Sequence, residues 1–328
     1  MAVLVTGGAG YIGSHMALRL CDAGETVVVL DNLVTGFDWA IDHRATFVEG
    51  NAGDMALVGN LIKAHGINEI IHFAGSIVVP ESVGNPLKYY GNNTAASRNL
   101  IEAAVAGGVR HMVFSSTAAV YGMTGLEPVS EDTPLMPMSP YGRSKLMTEL
   151  MLADVAAAHP FTYGALRYFN VAGADPKKRS GQSTPLATHL IKVTAQAALG
   201  QRDHVDIFGT DFPTPDGTGV RDYIHVTDLV EAHWLLLNHL REGGESTVCN
   251  CGYGQGYSVR QVIDMVHKVS GVDFDVREAP RRAGDPASVV ARADKVRDLL
   301  GWKPAHADLE EIVTAAYEWE RHLITRNR

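Results

Sequence analysis

The 328-residue sequence has few cysteines, no long apolar run and no excess of basic residues. Its three cysteines, Cys21, Cys249 and Cys251, form no CxxC pair, which favours free thiols in a reducing compartment. No apolar stretch approaches the roughly 18 residues that a membrane-spanning helix needs. The first residues, Met1 to Thr6, already have the pattern of a strand, so we expect no signal peptide. These absences predict a soluble, cytoplasmic protein.

Basic charge is scarce as well, because 28 Lys and Arg stand against 37 Asp and Glu, a net charge of −9. This balance argues against a nucleic-acid or membrane-surface binder, although a local basic pocket can still hold an anion. The 14 histidines show neither HExxH nor a Cys/His ligand spacing, so no metal site is predicted. The length predicts about two domains.

The first half of the chain alternates short apolar runs with helical patterns. The apolar runs lie at 3–5, 26–30, 46–48, 69–73 and 109–115, and helical patterns lie between them at 12–23, 56–64 and 92–106. Short apolar strands separated by helices are typical of βαβ units and of a parallel sheet buried on both faces. Because such crossovers are right-handed, we expect an α/β fold with a doubly wound parallel sheet.

The second half is less regular. Polar loops are predicted at 175–184 and 209–219, and helical patterns at 259–269 and 309–323. We therefore place one domain at 1–170 and a smaller, mixed α/β domain at 171–328, some segments of which return to the first domain.

A glycine-rich turn, Thr6-Gly-Gly-Ala-Gly-Tyr-Ile-Gly13, follows the first strand and opens a helix. Glycines at positions 7, 10 and 13 allow a tight turn and let backbone N–H groups approach a pyrophosphate at the helix N-terminus. Asp31 ends the next strand, where a carboxylate holds an adenosine ribose and repels a 2′-phosphate. This combination predicts an NAD site; the alternative is a structural turn beside a solvated aspartate.

A second group of residues follows the strand that ends at 115. Thr117 belongs to a Ser-Ser-Thr cluster, and Ser139-Pro-Tyr141-Gly-Arg-Ser-Lys145 opens a helix. Ser139 suits the N-cap and proline the first helical position. Tyr141 and Lys145 then share one helix face.

Proton transfer explains why this pair is informative. A tyrosine pKa of about 10 must fall by about 3 units, or about 4 kcal/mol, for the phenol to act as a base near pH 7. A positive charge about 4 Å away offers about 4 kcal/mol at an effective dielectric of about 20. Lys145, together with an oxidised nicotinamide, is expected to supply it, and Thr117 to orient the proton. The alternative is an exposed helix with an unremarkable Tyr and Lys.

These motifs resemble the extended short-chain dehydrogenases/reductases, and within them the UDP-glucose 4-epimerase family. The resemblance runs from Val3 to about Trp319. It includes the segments 3–8, 30–33, 71–75, 81–83, 89–93, 139–147, 166–170, 216–226 and 279–285.

The resemblance implies a Rossmann NAD-binding domain at 1–170, a UDP-sugar-binding domain at 171–328 and a homodimer. The residues that match NAD contacts are Gly7, Gly10, Tyr11, Ile12, Gly13, Asp31, Asn32, Asn51, Ala52, Phe73, Ala74, Gly75, Asn92, Ser115, Tyr141, Lys145 and Phe169. Those that match UDP-sugar contacts are Thr117, Tyr141, Asn170, Leu190, Phe208, Arg221, Tyr223, Arg282, Asp285 and Val289. Tyr141, Lys145 and Thr117 match the catalytic group.

The implied activity is that of an isomerase of galactose metabolism, which interconverts UDP-glucose and UDP-galactose by reversible oxidation at C4. Two positions depart from the family: Asn51 stands where many members have Asp, and Ile77 where relatives often carry Lys. The small Val289 suggests room for a 2-acetamido group, so UDP-GlcNAc and UDP-GalNAc are hypothetical further substrates. Another nucleotide-sugar epimerase, such as one acting on UDP-glucuronate, and a non-catalytic dinucleotide-binding protein remain alternatives.

Overall fold

Seven parallel strands form the main sheet in a computed structural model that describes residues 2–184, 187–282 and 284–326. The order across the sheet is β10-β6-β5-β4-β1-β2-β3. These strands are β1 (Ala2–Thr6), β2 (Thr26–Asp31), β3 (Thr46–Glu49), β4 (Ile67–His72), β5 (His111–Ser115), β6 (Thr162–Tyr168) and β10 (Thr247–Cys251). The predicted doubly wound parallel sheet is confirmed.

Helices connect these strands on both faces of the sheet. They are α1 (Tyr11–Asp22), α2 (Met55–His65), α3 (Val79–Gly84), α4 (Pro86–Tyr89), α5 (Ala96–Ala106) and α6 (Pro140–Ala158). Ser139 caps α6 as the sequence predicts: its hydroxyl accepts a hydrogen bond from the Gly142 N–H at 3.1 Å.

The core lies on both faces of the sheet, because successive side chains of a strand point to opposite sides. In β1, Val3 and Val5 pack into one buried cluster, whereas Ala2 and Leu4 pack into the other. Burial on both faces explains why these strands are continuous apolar runs rather than alternating ones.

The second half adds a small sheet centred on β9, which pairs with β7, β11 and β13, and a two-stranded sheet of β8 and β12. Its elements are β7 (Asn170–Ala172), α7 (Leu190–Ala198), β8 (His204–Phe208), β9 (Val220–His225), α8 (Val226–Arg241), β11 (Gly256–Ser258), α9 (Val259–Ser270), β12 (Asp275–Ala279), β13 (Ser288–Val289), α10 (Asp294–Leu300) and α11 (Leu309–Arg326). Strand β10 pairs with β6 and so lies in the main sheet. The domain boundary at residue 170 stays a prediction.

One predicted helix differs from the structure. The pattern at 92–106 predicts a continuous helix, but residues Tyr90–Ala95 form a π-helical turn before α5. Hydrophobic periodicity does not distinguish the two, because a π-turn adds only one residue to a helix. Such turns are frequent at functional sites.

Candidate functional site

The carboxyl ends of five neighbouring strands form the candidate site. Chain order reverses between β1 and β4, which are adjacent in the sheet, and ligands of open α/β sheets bind in the crevice at such a reversal. The glycine turn follows β1, Asp31 ends β2, Phe73 follows β4, Ser115 ends β5 and Phe169 follows β6.

The glycine turn packs too tightly for side chains. Gly7 has a φ of +71°, and a Cβ on this residue would lie 2.6 Å from the Ala74 nitrogen. A Cβ on Gly13 would lie 2.1 Å from the Gly7 carbonyl oxygen. Gly10 occupies the N-cap of α1 and makes no side-chain cap, so the first N–H groups of this helix are left for an anion. This cradle fits a pyrophosphate.

Asp31 is buried beside the turn. One carboxylate oxygen accepts from the Ala9 N–H at 2.9 Å and the other from the Leu33 N–H at 2.8 Å. Because each carboxylate oxygen has two lone pairs, capacity remains for a ribose hydroxyl. Asn32 lies directly beyond, where its side chain accepts from the Val34 N–H at 3.3 Å.

Asn51 and Ala52 follow β3 at the same edge of the sheet. The exposed Asn51 accepts a hydrogen bond from the Gly53 N–H at 2.8 Å, whereas Ala52 is buried. The side-chain oxygen of Asn51 thus closes the turn that follows β3.

Two α1 residues of the predicted NAD group have structural contacts. The Tyr11 hydroxyl donates to the Gly173 carbonyl at 2.7 Å and thereby joins the two halves of the chain. Ile12 packs against the main core. Their backbone N–H groups lie in the first turn of α1, where they could face an anion.

The segment after β4 lies against the glycine turn. The Phe73 and Ala74 N–H groups donate to the Thr6 carbonyl at 2.9 and 3.1 Å, and Gly75 follows them. Asn92, in the π-helical turn, donates to the Ser76 hydroxyl at 3.1 Å.

Asn93 is a buried residue that the sequence analysis did not assign to the site. Its side-chain oxygen accepts from the Ser76 N–H at 2.7 Å, and its amide donates to the Ser144 hydroxyl at 3.0 Å. It therefore ties the segment after β4 to the N-terminal part of α6. The pair Asn92-Asn93 is the only sequence signal for it.

Lys145 is buried at the end of β5. Its ammonium group donates to the Ser115 carbonyl at 2.9 Å and lies 4.9 Å from the Phe114 ring centre. Burial lowers the pKa of Lys145 to about 8, although the Glu149 carboxylate acts in the opposite direction. The Ser115 hydroxyl donates to the Tyr168 hydroxyl at 2.9 Å, next to the buried Phe169.

Tyr141 is buried one turn before Lys145, with its ring 6.4 Å from that of Tyr89 in an edge-on arrangement. Burial raises the pKa of Tyr141, and a hydrogen bond with the Thr117 side chain lowers it in part. The sequence predicts that Lys145 and a nicotinamide together lower the pKa of Tyr141. The protein groups alone raise this pKa, because burial has a larger effect than Thr117. The reason is that the phenol is taken out of water, while Lys145 is directed to the Ser115 carbonyl.

Strand β9 collects several residues of the predicted UDP-sugar group. Tyr223 pairs in register with Asn170 of β7, and Arg221 pairs with Val289 of β13. The Asn170 amide donates to the Asp222 carbonyl at 3.3 Å. Burial lowers the pKa of Arg221 and raises that of Tyr223 to about 12.

Arg282, Asp285 and Phe208 form an exposed rim beside β9. The Arg282 guanidinium pairs with the Asp285 carboxylate at 2.8 Å and lies 4.8 Å from the Phe208 ring centre. Both charges act on Arg221, in opposite directions, so they lie within electrostatic reach of it. Leu190 begins α7 and packs against the core, and Ala283 of the 279–285 motif lies outside the described residues.

His72 is held internally. Its two ring nitrogens share hydrogen bonds with the hydroxyls of Thr6, at 2.6 Å, and Ser97, at 2.8 Å. Over residues 2–184, 187–282 and 284–326, no cluster of His, Cys, Asp or Glu is arranged to hold a metal ion. In the same ranges, no helix has the length and apolar character needed to cross a membrane.

Comparisons with known proteins identify the family to which this chain is similar. The NAD dependent epimerase/dehydratase family matches residues 3–252. A UDP-glucose 4-epimerase from Azospirillum brasilense is 55% identical over 321 residues, which cover 98% of this chain and 92% of the relative. The solved UDP-glucose 4-epimerase from Brucella ovis in complex with NAD has a TM-score of 0.94 and 41% identity, and 97% of both chains is covered. The UDP-Glc/GlcNAc 4-epimerase from Campylobacter jejuni has a TM-score of 0.86 and 48% identity, with 98% of this chain and 99% of that chain covered.

Proposed function

This chain belongs to the NAD dependent epimerase/dehydratase family, and on that basis we propose that it interconverts UDP-glucose and UDP-galactose with NAD. The observation that carries the proposal is the burial of Tyr141 one helical turn before Lys145, whose ammonium group donates to the Ser115 carbonyl two residues before Thr117. A protein that only binds a dinucleotide gains nothing from a buried phenol with a hydroxyl partner.

The residues at the crevice fit NAD. The turn at 7–13 and the start of α1 would hold the pyrophosphate, Asp31 the adenosine ribose, and Lys145 the nicotinamide side. The chemistry that NAD supplies when bound is reversible acceptance of the C4 hydride, together with one positive charge.

The protein groups manage the proton. Tyr141 takes the proton of the sugar 4-hydroxyl as a general base. The Thr117 hydroxyl orients this proton for transfer to the phenol. Lys145 contributes a fixed positive charge near the phenol, which favours the phenolate and offsets part of the cost of burial.

The UDP part of the substrate must be held firmly while the sugar turns to present its other face. Arg221 and Arg282 would bind the diphosphate through charge-assisted hydrogen bonds. Phe208, which is 38% exposed, would flank the uracil, and Asn170 and Tyr223 would contact the sugar side. Thr117 and Tyr141 would contact the sugar without the charge-assisted hydrogen bonds that hold the diphosphate, which suits a loose hold on the sugar.

The test is turnover without added coenzyme. Purified protein incubated with UDP-galactose should form UDP-glucose, observed by NMR, and Tyr141→Phe should lose about 10²- to 10⁴-fold in kcat while still carrying NAD. Tyr317→Phe, on α11 and outside the predicted site residues, is the matched control and should retain the wild-type rate. Wild-type turnover in Tyr141→Phe would exclude the phenol as the base.

We also propose that UDP-GlcNAc and UDP-GalNAc are substrates. Val289 supports this, because it lies beside Arg221 in the small sheet and is far smaller than an aromatic residue. The similar Campylobacter jejuni protein is a UDP-Glc/GlcNAc 4-epimerase.

We further propose that the protein is a cytoplasmic homodimer. The free, buried cysteines support a reducing compartment.

Helices α3, α4 and α6 pack together and expose four apolar side chains: Val83, Leu87, Met147 and Leu150. Monomers rarely leave such a surface uncovered, which supports a dimer interface there. Leu150→Glu should halve the mass found by light scattering. Leu126→Glu, at a similarly exposed residue in the loop between β5 and α6, should leave the mass unchanged, and a dimeric Leu150→Glu would contradict this interface.

A further inference from the structure

Glu149 is a buried carboxylate that the proposed reaction does not use. It lies four residues beyond Lys145 on α6, so the two side chains share one helix face, and only 4% of Glu149 is exposed. Its carboxylate accepts a hydrogen bond from the Ser116 hydroxyl. Ser116 directly follows Ser115, whose carbonyl accepts from the Lys145 ammonium. The carboxylate and the ammonium are therefore anchored on adjacent residues of the same segment.

A second set of contacts holds the carboxylate in place. Arg167 of β6 makes a forked ion pair with Glu149, with its Nη2 2.6 Å and its Nε 3.1 Å from the carboxylate. Arg167 is in turn fixed by the Tyr121 hydroxyl at 3.1 Å, which donates to Asn250 at 2.6 Å. These contacts hold the Glu149 carboxylate at Ser116, next to the residue that anchors Lys145.

Among the residues that the structure describes, the other groups named here around Lys145 do not offer it a negative charge. His72 of β4 is neutral, since burial lowers its pKa to about 3. Tyr141 of α6 and Tyr168 of β6 are phenols whose pKa values burial raises, and Arg167 of β6 is itself a cation. Burial of an ammonium favours its neutral form, and Glu149 is the carboxylate that opposes this effect.

We propose that Glu149 is a positioning residue for the reaction: its buried carboxylate keeps Lys145 as an ammonium ion directed at the Ser115 carbonyl. This inference rests on the proposed function, in which the Lys145 charge favours the Tyr141 phenolate. Arg167 and Ser116 serve the same end indirectly by fixing the carboxylate.

The decisive experiment titrates Lys145 itself by NMR, in holoenzyme labelled at the lysine Cε and with the resonance assigned by its loss in Lys145→Met. Glu149→Gln keeps a hydrogen-bond acceptor and removes the charge, so the titration midpoint should fall by about one pH unit or more. Glu149→Asp keeps the charge and should titrate close to the wild-type midpoint.

Activity gives the second readout. In the dependence of kcat on pH, the alkaline limb of Glu149→Gln should move to lower pH by as much as the titration midpoint does. At alkaline pH, kcat should therefore fall about tenfold relative to wild type. Glu149→Asp should restore the wild-type limb. If Glu149 only stabilised the fold, Glu149→Gln would lower the melting temperature without moving either the alkaline limb or the titration midpoint.

Glu320→Gln is the matched control, because Glu320 is also buried and pairs with Lys192 at 2.6 Å in another part of the protein. It should destabilise the protein without moving the Lys145 midpoint. If Glu149→Gln does not fold, Glu149→Gln combined with Arg167→Met removes both buried charges, and the midpoint should still fall. A wild-type midpoint in the Gln variant overturns the inference, whereas an active Tyr141→Phe overturns the proposed function and leaves this titration unaffected.

Discussion

The two sides of the crevice are built in different ways. On the proposed coenzyme side, the contacts are made by backbone turns and by buried side chains such as Asp31 and Lys145, whose partners are already in place. On the proposed substrate side, Arg282 and Phe208 form an exposed rim, and Arg282 is paired with Asp285 near solvent. A preorganised, buried surface suits a ligand that stays, and an exposed rim suits one that is exchanged at each turnover.

The largest expected effect is on the glycine turn. In Gly13→Ala the new methyl meets the Gly7 carbonyl at 2.1 Å, and because that contact is backbone, the turn must move. We expect the purified variant to lose its bound NAD, measured by absorbance after denaturation.

Gly59→Ala, on α2, is the matched control for this change. A Cβ on Gly59 would meet no other atom within 4 Å, and Gly59 is outside the predicted coenzyme group. It should keep most of its NAD. Equal retention in both variants would mean that the tight turn does not hold the coenzyme.

A smaller effect is expected on the substrate side. Arg221→Ala removes charge-assisted hydrogen bonds worth about 1.5–3 kcal/mol each, so KM for UDP-galactose should rise by about 10- to 100-fold. NAD content should be unchanged, since Arg221 lies in the small sheet. Arg277→Ala, which removes an exposed ion pair with Asp275, is the control and should keep the wild-type KM. Loss of NAD in Arg221→Ala would contradict the division between the two sides.

The smallest change concerns the sugar. Val289→Tyr should reduce turnover of UDP-GlcNAc by about tenfold or more through steric exclusion, while UDP-galactose conversion stays within a few-fold of wild type. Val289→Ala should convert both substrates. The measurement is kcat/KM for each sugar. A wild-type chain that converts UDP-galactose briskly and shows no detectable UDP-GlcNAc turnover would remove the basis of this prediction.

The short-range features were accessible from residue patterns. The glycine turn, Asp31 at a strand end, the Ser139 cap and the shared helix face of Tyr141 and Lys145 all depend on neighbours within a few residues. Packing of β1 on both faces follows from its apolar composition for the same reason. Local dihedral preferences and burial of apolar side chains act over such short stretches, so the sequence alone predicts the doubly wound sheet.

Contacts between parts of the chain that are distant in sequence could not be predicted from residue patterns and are decided by the tertiary structure. Asn93 meets Ser144 and Glu149 meets Arg167 across separate elements, and β10 joins the main sheet from far along the sequence. The direction in which the pKa of Tyr141 shifts also depends on how completely the fold removes water from the phenol. Desolvation and long-range pairing are set by the whole packed molecule, whereas a residue pattern reports only its immediate surroundings.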